Sequence, residues 1–297
     1  MPTVDGPPPR HSYYGFMTTP RPYSATTEFG RWLEFAHACC DMADAIALAS
    51  FRSGPVSRAK ADGSFVTETD LEIERRVRRR LQDEFPEHGI LGEEFGTATD
   101  GTTVSWILDP IDGTHNFMRG IPLFATLLAA QREGVTEVAV ISAPALGQRW
   151  FASRGGGAFA MDRDGETPRR LHVSHETELA KSQLLYRAVT DMRASRVAAG
   201  FDALLSGVWR ERGFGDFWGY ALVAEGAAEV FVERDLGAWD LAAPWLLVEE
   251  AGGRVSDFDG VRSFTKGESL ATNGHVHDTV LDRLWNPVDQ EPLPPAR

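Results

Sequence analysis

Apolar side chains recur at helical spacing early in the chain. Steps of three and four residues predict an amphipathic helix over residues 27–52, which Gly54-Pro55 ends. The apolar stripe of this helix consists of Trp32, Phe35, Cys39, Met42 and Ile46.

A second helix is predicted after Thr67 and Asp70, which have the spacing of a capping box at a helix start. Ile73, Val77 and Leu81 then mark its apolar face. The opposite face is basic, and we interpret it as a solvated helix face and not as a phosphate site. Its basic residues are Arg75, Arg76, Arg78, Arg79 and Arg80.

Short apolar runs and helical patterns then alternate, which predicts a layered α/β architecture. The predicted strands are Val104–Leu108, Leu123–Ala130, Val135–Ser142, Arg149–Ser153 and Glu229–Val232. The predicted helices lie near residues 191–206, 216–227 and 239–251.

Proline-rich ends flank this pattern, and such segments cannot pack a core. We therefore expect disordered tails at residues 1–24 and 287–297. Turn formers and charges over Asp162–Pro168 suggest a division of the remainder into halves at residues 25–165 and 166–286.

Charge and composition narrow the function classes for this chain of 297 residues. The net charge of −13 argues against unaided nucleic-acid binding, but a divalent cation can invert the sign of a local site. No apolar run reaches the ~20 residues that a membrane helix needs, and the first residues lack a signal-peptide pattern. The adjacent Cys39 and Cys40 are read as core thiols, and we expect a cytoplasmic protein with no membrane contact.

The candidate chemistry is concentrated in the segment WILDPIDGT, residues 106–114. An apolar strand ends at Asp109, and Pro110, which has no backbone donor, is expected to stop the ladder. The following turn can direct Asp109 and Asp112 into one space. With the Ile111 carbonyl they offer an all-oxygen site for a hard cation such as Mg²⁺.

A phosphate-binding site is predicted beside this metal site. Gly113 allows close backbone approach, and Thr114 opens a short helix whose free N–H groups can hold an anion. Upstream, Glu93 and Glu94 lie between glycines. Because successive side chains of a strand point in opposite directions, we expect only Glu93 to face the metal.

Asp240 is a further acidic candidate. It begins the helix that runs to Glu249-Glu250-Ala251-Gly252-Gly253, so it is either an N-cap or another metal ligand. The ligand reading gains weight from the three other acidic sites that need a partner.

The chain resembles the inositol monophosphatase family over residues 30–285. The resemblance is carried by motifs that follow one another in the order of that family: Lys60 with VTETD, then GEE, then DPIDGT, then WDLAA…EEAGG. The resemblance implies lithium-sensitive, Mg²⁺-dependent phosphatases with an alternating α-β-α-β-α fold, and commonly dimers. It implies two Mg²⁺ ions, or three. Its implied metal ligands are Glu93, Asp109, the Ile111 carbonyl and Asp112 for one ion, and Asp109, Asp112 and Asp240 for another.

The resemblance also implies catalytic roles. Glu93 and Thr114 orient a metal-activated water for in-line attack, and Asp70 lies near that water or at a third metal. Gly113 and Thr114 form the phosphate-binding turn. His115 follows that turn, and no role is assigned to it.

The substrate is expected to be set by the second half of the chain. The chain resembles the actinobacterial histidinol-phosphate phosphatases of the family in four short segments: SAPAL, Arg149-Trp150, GAF and GDF. The resemblance places Asp216 and Glu233 on the substrate side, where Asp216 can bind the amine of histidinol phosphate. Asp216 as a helix N-cap remains open.

Three alternatives to histidinol phosphate remain: an inositol phosphate, fructose 1,6-bisphosphate or a 3′-phosphonucleotide. Some members of the resembled family also bind the transcription machinery. A protein that acts mainly through such an interaction is therefore an alternative to an enzyme. The acidic charge and the intact acidic motifs favour the enzyme.

Overall fold

The computed structural model describes residues 22–24, 26–60, 63–98, 101–162 and 167–287. The predicted tails lie outside the described residues, apart from 22–24 and 287. The described α-helices are α1 (Glu28–Ser50), α2 (Glu68–Glu84), α3 (Thr114–Met118), α4 (Val189–Arg193), α5 (Ala198–Gly207), α6 (Phe217–Ala224), α7 (Ala238–Glu250) and α8 (His277–Trp285), with a 3₁₀ turn at Leu179–Lys181.

The described strands form one sheet of eight strands, one of five, and a hairpin. They are β1 (Ser57–Ala59), β2 (Phe65–Thr67), β3 (Gly89–Gly92), β4 (Gly96–Ala98), β5 (Val104–Asp112), β6 (Ala125–Arg132), β7 (Val135–Ala143), β8 (Gln148–Ser153), β9 (Gly157–Asp162), β10 (Arg169–Arg170), β11 (Gln183–Tyr186), β12 (Arg210–Arg212), β13 (Val230–Arg234), β14 (Arg254–Ser256) and β15 (Glu268–Thr272).

Both predicted amino-terminal helices are confirmed, and each begins at a capped residue. The Thr27 side chain accepts a hydrogen bond from the Gly30 N–H at the start of α1. At the start of α2, Thr67 and Asp70 form the predicted capping box, in which the Thr67 N–H donates to Asp70 Oδ2 at 2.9 Å. This cap also fixes the position of the Asp70 carboxylate.

The larger sheet has the order β10-β9-β8-β7-β6-β5-β3-β4, and all its pairs are antiparallel except β3 with β5. Helices α1 and α2 cover one face through a core that includes Trp32, Phe35, Ile73 and Trp106. Helices α6 and α7 cover the other face through a second core that includes Trp245.

The smaller sheet has the order β12-β11-β13-β15-β14 and packs on the far side of α6 and α7. Its outer face meets α5 and α8 through a third apolar cluster that includes Phe201 and Leu284. The layers are therefore α-β-α-β-α, which confirms the predicted fold class. The predicted division at 165/166 falls within residues 163–166, which lie outside the described part of the chain.

Two predicted boundaries are wrong, and each has a local reason. Pro110 does not end β5, which runs to Asp112; pairing with β6 shifts register between Asp109 and Asp112, and Thr126 Oγ1 donates to the Pro110 carbonyl at 2.8 Å. The helix near 191–206 is two helices. Between them Ser195 Oγ bonds the Met192 carbonyl at 2.6 Å and the Val197 N–H at 3.2 Å, which competes with helical bonds.

Among the described helices, none combines the length and apolar character needed to cross a membrane. Cys39 and Cys40 are buried on α1 and form no disulfide, as expected of core thiols.

Candidate active site

A cleft of about 240 Å³ opens where β5 ends and α3, α6 and α7 begin. Acidic side chains dominate its wall. The lining residues are Ser64, Phe65, Glu93, Asp109, Ile111, Asp112, Gly113, Thr114, His115, Arg187, Asp216, Asp235, Gly237, Trp239 and Asp240.

Three carboxylates converge at the centre of this cleft. Asp109, Asp112 and Asp240 each offer an oxygen, and these oxygens lie within 4.8 Å of one another. The register shift in β5 lets both aspartates face the cleft although they are three residues apart. Asp240 comes from the first turn of α7, so one short motif and one distant helix build the cluster.

Backbone N–H groups fix the orientation of each carboxylate. Asp109 Oδ1 accepts from the Ile111 N–H at 2.9 Å, and Asp112 Oδ2 accepts from the Phe217 N–H at 2.6 Å. Asp240 Oδ2 accepts from the Gly237 N–H at 2.6 Å. Asp240 is therefore not the N-cap of α7. It lies three residues after the N-cap Gly237 and bonds back to it.

Burial and mutual repulsion raise the pKa of all three groups. For Asp109 and Asp112 the pKa lies well above its ordinary value, because burial disfavours the charge and neighbouring carboxylates add to the effect. Burial raises the pKa of Asp240 to about 7. A hard divalent cation would offset this concentration of negative charge, and an all-oxygen ligand set suits it.

Glu93 and Glu94 do not alternate as strand residues would, but of the two only Glu93 lines the cleft, which agrees with the expectation that only Glu93 faces the metal site. They lie in a turn after β3, and Lys60 Nζ contacts Oε1 of both at 2.8 Å. Glu93 lines the cleft, whereas the Glu94 side chain is 3% exposed and does not. Burial raises the pKa of Glu94 to about 7.

The buried Glu74 of α2 holds this turn in place. Its carboxylate accepts hydrogen bonds from the backbone N–H of Glu94 at 3.0 Å and of Phe95 at 3.1 Å. A Cβ at Gly92 would lie 2.0 Å from Glu74 Oε1, so only glycine fits there. Helix α2 thereby sets the position of Glu93.

Asp70 and Thr114 meet behind the cluster. Thr114 Oγ1 donates to the Ile111 carbonyl at 2.9 Å and lies 3.5 Å from Asp70 Oδ1. Asp70 is fully buried and does not line the cleft, and its burial raises its pKa to about 6.

Gly113 turns the chain from β5 into α3. Its φ of +81° is left-handed, and a Cβ there would lie 2.8 Å from the Leu123 carbonyl, so both conformation and space require glycine. The N-cap Gly113 makes no side-chain cap hydrogen bond to α3, and Gly113, Thr114 and His115 line the cleft.

Asp216 lines the cleft, but Glu233 does not. Asp216 precedes α6 with φ +59° and makes no side-chain cap; Asp112 bonds the first N–H of α6 instead. Glu233 is buried at 2% exposure and accepts the Asp216 N–H at 3.2 Å. The prediction that Glu233 lines the substrate side is therefore corrected: it lies beneath Asp216.

Sequence reasoning assigned no role to several residues of the cleft. Arg187 contacts Asp191 at 3.0 Å and lies 3.9 Å from Glu233. Trp239 precedes Asp240 and packs over Gly237, where a Cβ would lie 2.4 Å from the indole ring. The signal for Trp239 was its place in the WD motif, whereas Arg187 and Asp235 stand in no pattern that predicts a site.

The sequence of this chain is similar to the sequences of known phosphatases. A model described as the inositol monophosphatase family matches residues 31–288. A histidinol-phosphatase of Mycobacterium tuberculosis is 44% identical, over 85% of this chain and 97% of that protein. An inositol-1-monophosphatase of Rhizobium meliloti is 34% identical, over 77% of this chain and 86% of that protein.

Among solved structures, the extragenic suppressor protein suhB of Bartonella henselae superposes with a TM-score of 0.79 at 27% identity. The superposition covers 87% of this chain and 100% of that one. The sequence match and the structural match therefore both extend over the layers that build the cleft.

Proposed function

Because this chain belongs to the inositol monophosphatase family, we propose that it hydrolyses histidinol phosphate to histidinol and inorganic phosphate, a step of histidine biosynthesis. The chain is a phosphoric monoester hydrolase, and its substrate is a small phosphorylated molecule. The observation that carries the choice of substrate is the 44% identity to a histidinol-phosphatase over 85% of the chain.

The metal ligands that we propose are Glu93, Asp109, the Ile111 carbonyl, Asp112 and Asp240, which would hold two Mg²⁺ ions, with Asp70 near a third. The supporting observation is a buried carboxylate cluster whose members raise one another's pKa. When bound, magnesium would supply positive charge against the phosphate dianion and lower the pKa of a water molecule.

The residues of the chain position the substrate and this water. Gly113 and the uncapped start of α3 would hold the phosphate oxygens through backbone N–H groups. Glu93 and Thr114, both on the cleft wall, would orient the water, and the Glu93 carboxylate would take up its proton. Asp70, which touches the Thr114 hydroxyl, would keep that hydroxyl in place.

Asp216 would recognise the leaving alcohol. Its carboxylate lines the cleft and is not used as a helix cap; Oδ2 accepts one long hydrogen bond from Asn116 Nδ2 at 3.4 Å, which leaves acceptor capacity for the ammonium group of histidinol. Burial raises the pKa of Asp216, but Arg187 and His115 oppose that effect and favour the charged form. A charge-assisted bond to an ammonium is a contact that an inositol hydroxyl cannot replace.

Inositol 1-phosphate is the second candidate, and the relative with 34% identity favours it. It would use the same metal and phosphate groups and differ only at Asp216. We further propose that the protein is a cytoplasmic homodimer. We also propose that it makes no nucleic-acid contact, because its net charge of −13 would repel a phosphate backbone.

The deciding experiment measures turnover of histidinol phosphate and inositol 1-phosphate at equal concentration, with Mg²⁺ and with a chelator. We expect kcat/KM for histidinol phosphate to be at least tenfold higher and activity to vanish without Mg²⁺. Preference for inositol 1-phosphate would contradict the substrate, and full activity in chelator would contradict the metal.

A further inference from the structure

A second concave surface lies between α1 and α2, in a region that the catalytic chemistry does not use. This arginine groove has a volume of about 470 Å³ and shares no lining residue with the catalytic cleft. Met42 of α1 forms one wall. The other wall belongs to α2 and presents four arginines and two carboxylates: Arg75, Arg76, Arg79, Arg80, Glu72 and Asp83.

Neutralisation of these arginines is incomplete. Arg76 Nε donates to Glu72 Oε1 at 2.6 Å, and Arg75 lies 3.8 Å from the other oxygen of the same carboxylate. Two guanidinium groups therefore share one negative charge. Arg80 donates to the backbone carbonyl of Ala38 at 3.3 Å, a bond that leaves its charge uncompensated.

Arg79 is exposed and lies one turn of helix from Arg75 and Arg76. Within the described part of the chain it forms no ion pair, and neither does Asp83. The groove thus keeps an excess of positive charge in a protein whose net charge is −13. Such a local reversal of sign attracts anions to one place on an otherwise repelling surface.

The geometry selects the class of anion. Guanidinium groups present forked donors that fit phosphate oxygens bidentately. Here they form two tiers on successive helical turns, about 5.4 Å apart along the axis. One phosphate can engage one tier, so an anion with two or more phosphate groups engages both.

We propose that the arginine groove is a binding site for a small anion that carries two or more phosphate groups. This site is independent of the proposed histidinol-phosphatase activity, because none of its residues belongs to the catalytic cleft. It differs from the interpretation of this helix face as only a solvated face. A nucleic acid is disfavoured, since the acidic remainder of the surface would repel its backbone.

The test is calorimetric titration of the full-length, magnesium-loaded enzyme with inorganic tripolyphosphate, with Mg²⁺ in excess of the probe. Wild type and three variants are compared. Arg79→Gln removes a groove charge, Arg193→Gln removes an exposed arginine paired with Asp202 elsewhere, and Asp109→Asn weakens anion binding in the catalytic cleft.

We expect one groove site per chain, weakened about tenfold by Arg79→Gln and less than twofold by Arg193→Gln and by Asp109→Asn. Equal affinity in wild type and Arg79→Gln would overturn the proposal, as would loss of binding in Asp109→Asn alone, which would place the anion in the catalytic cleft. A single-stranded RNA oligonucleotide that binds more tightly than tripolyphosphate and depends on Arg79 would also overturn it, in favour of nucleic acid.

Discussion

The carboxylate of Asp112 accepts a hydrogen bond from the backbone N–H of Phe217 at 2.6 Å, across 105 residues of sequence. This bond joins the end of β5 to the start of α6. It places a proposed metal ligand and the residue that follows the proposed specificity residue, Asp216, in direct contact. The metal centre and the leaving-group side of the cleft are therefore built as one unit.

Asp112→Asn should abolish most activity while the protein stays folded. The amide keeps the shape and an oxygen for the Phe217 N–H, but it removes the charge that a divalent cation needs. If metal binding contributes several kcal/mol, kcat should fall by about a hundredfold or more. Steady-state assays at saturating Mg²⁺ measure this loss, and the exposed Asp202→Asn serves as the control. Near wild-type turnover in Asp112→Asn would show that Asp112 holds no metal.

Glu93→Gln and Glu94→Gln should differ, although both carboxylates contact Lys60. Glu93 lines the cleft, so its amide variant should lose about a hundredfold or more in kcat, as positioned acid–base groups do. Glu94 is buried outside the cleft, so its variant should mainly change thermal stability. Paired kcat and melting measurements test this, and a larger kcat loss in Glu94→Gln would reverse the assignment.

Asp216→Asn should change substrate preference. Loss of an ammonium–carboxylate bond of about 1.5–3 kcal/mol corresponds to a ten- to hundredfold fall in kcat/KM for histidinol phosphate. Turnover of inositol 1-phosphate should change little. Asp235→Asn is the matched control, because Asp235 also lines the cleft but is exposed and paired with Arg234. Equal losses on both substrates would remove Asp216 from amine recognition.

The sequence was sufficient for those parts of the site that one short segment determines. Residues 109–114 carry two carboxylates, the Ile111 carbonyl and a glycine in one short segment, and the structure brings Asp109 and Asp112 together as the sequence implies. Helix periodicity and the Thr67–Asp70 box likewise predicted α1 and α2. Local chemistry determines such features, so they can be read before any fold is known.

What could not be predicted depends on contacts between distant segments. Strand alternation gave the right outcome for Glu94, which lies outside the cleft, but the physical cause is a turn that Glu74 of α2 holds by accepting from the Glu94 N–H. Glu233 appeared to belong to the cleft, yet it lies beneath Asp216, because its carboxylate is used by the Asp216 N–H. Neither periodicity nor spacing contains these pairings.

Arg149→Met should destabilise the protein strongly. Arg149 is fully buried between β8 and α1, where it contacts Asp44 at 2.7 Å, Asp41 at 2.8 Å and Ser142 at 2.9 Å. Its removal leaves carboxylates buried without a counter-charge, which costs about 3–5 kcal/mol. Urea unfolding measures the difference. Arg58→Met, which breaks the exposed pair with Glu68, should cost less than about 1 kcal/mol; similar values for both variants would contradict the prediction.

His277 should make the stability of the fold depend on pH. The ring is fully buried, with Nε2 at 2.9 Å from Ser256 Oγ and Nδ1 at 2.9 Å from Thr272 Oγ1. Burial lowers its pKa from 6.5 to about 4, with a smaller contribution from Arg254 and an opposing one from Asp278. The folded protein therefore keeps His277 neutral at pH values where the unfolded chain protonates it.

The sign of the effect follows from this difference. Above pH 6.5 the ring is neutral in both states and its contribution is fully present; it is lost as the pH falls from 6.5 toward 4. At about 1.4 kcal/mol per pH unit, the loss between pH 7 and 4.5 is about 2–3 kcal/mol. In His277→Gln this part of the pH dependence should disappear, whereas the exposed neighbour His275→Gln should behave as wild type. Urea unfolding at both pH values measures it. An unchanged pH dependence in His277→Gln would show that another group titrates, because the variant has no imidazole at position 277 to bind the proton.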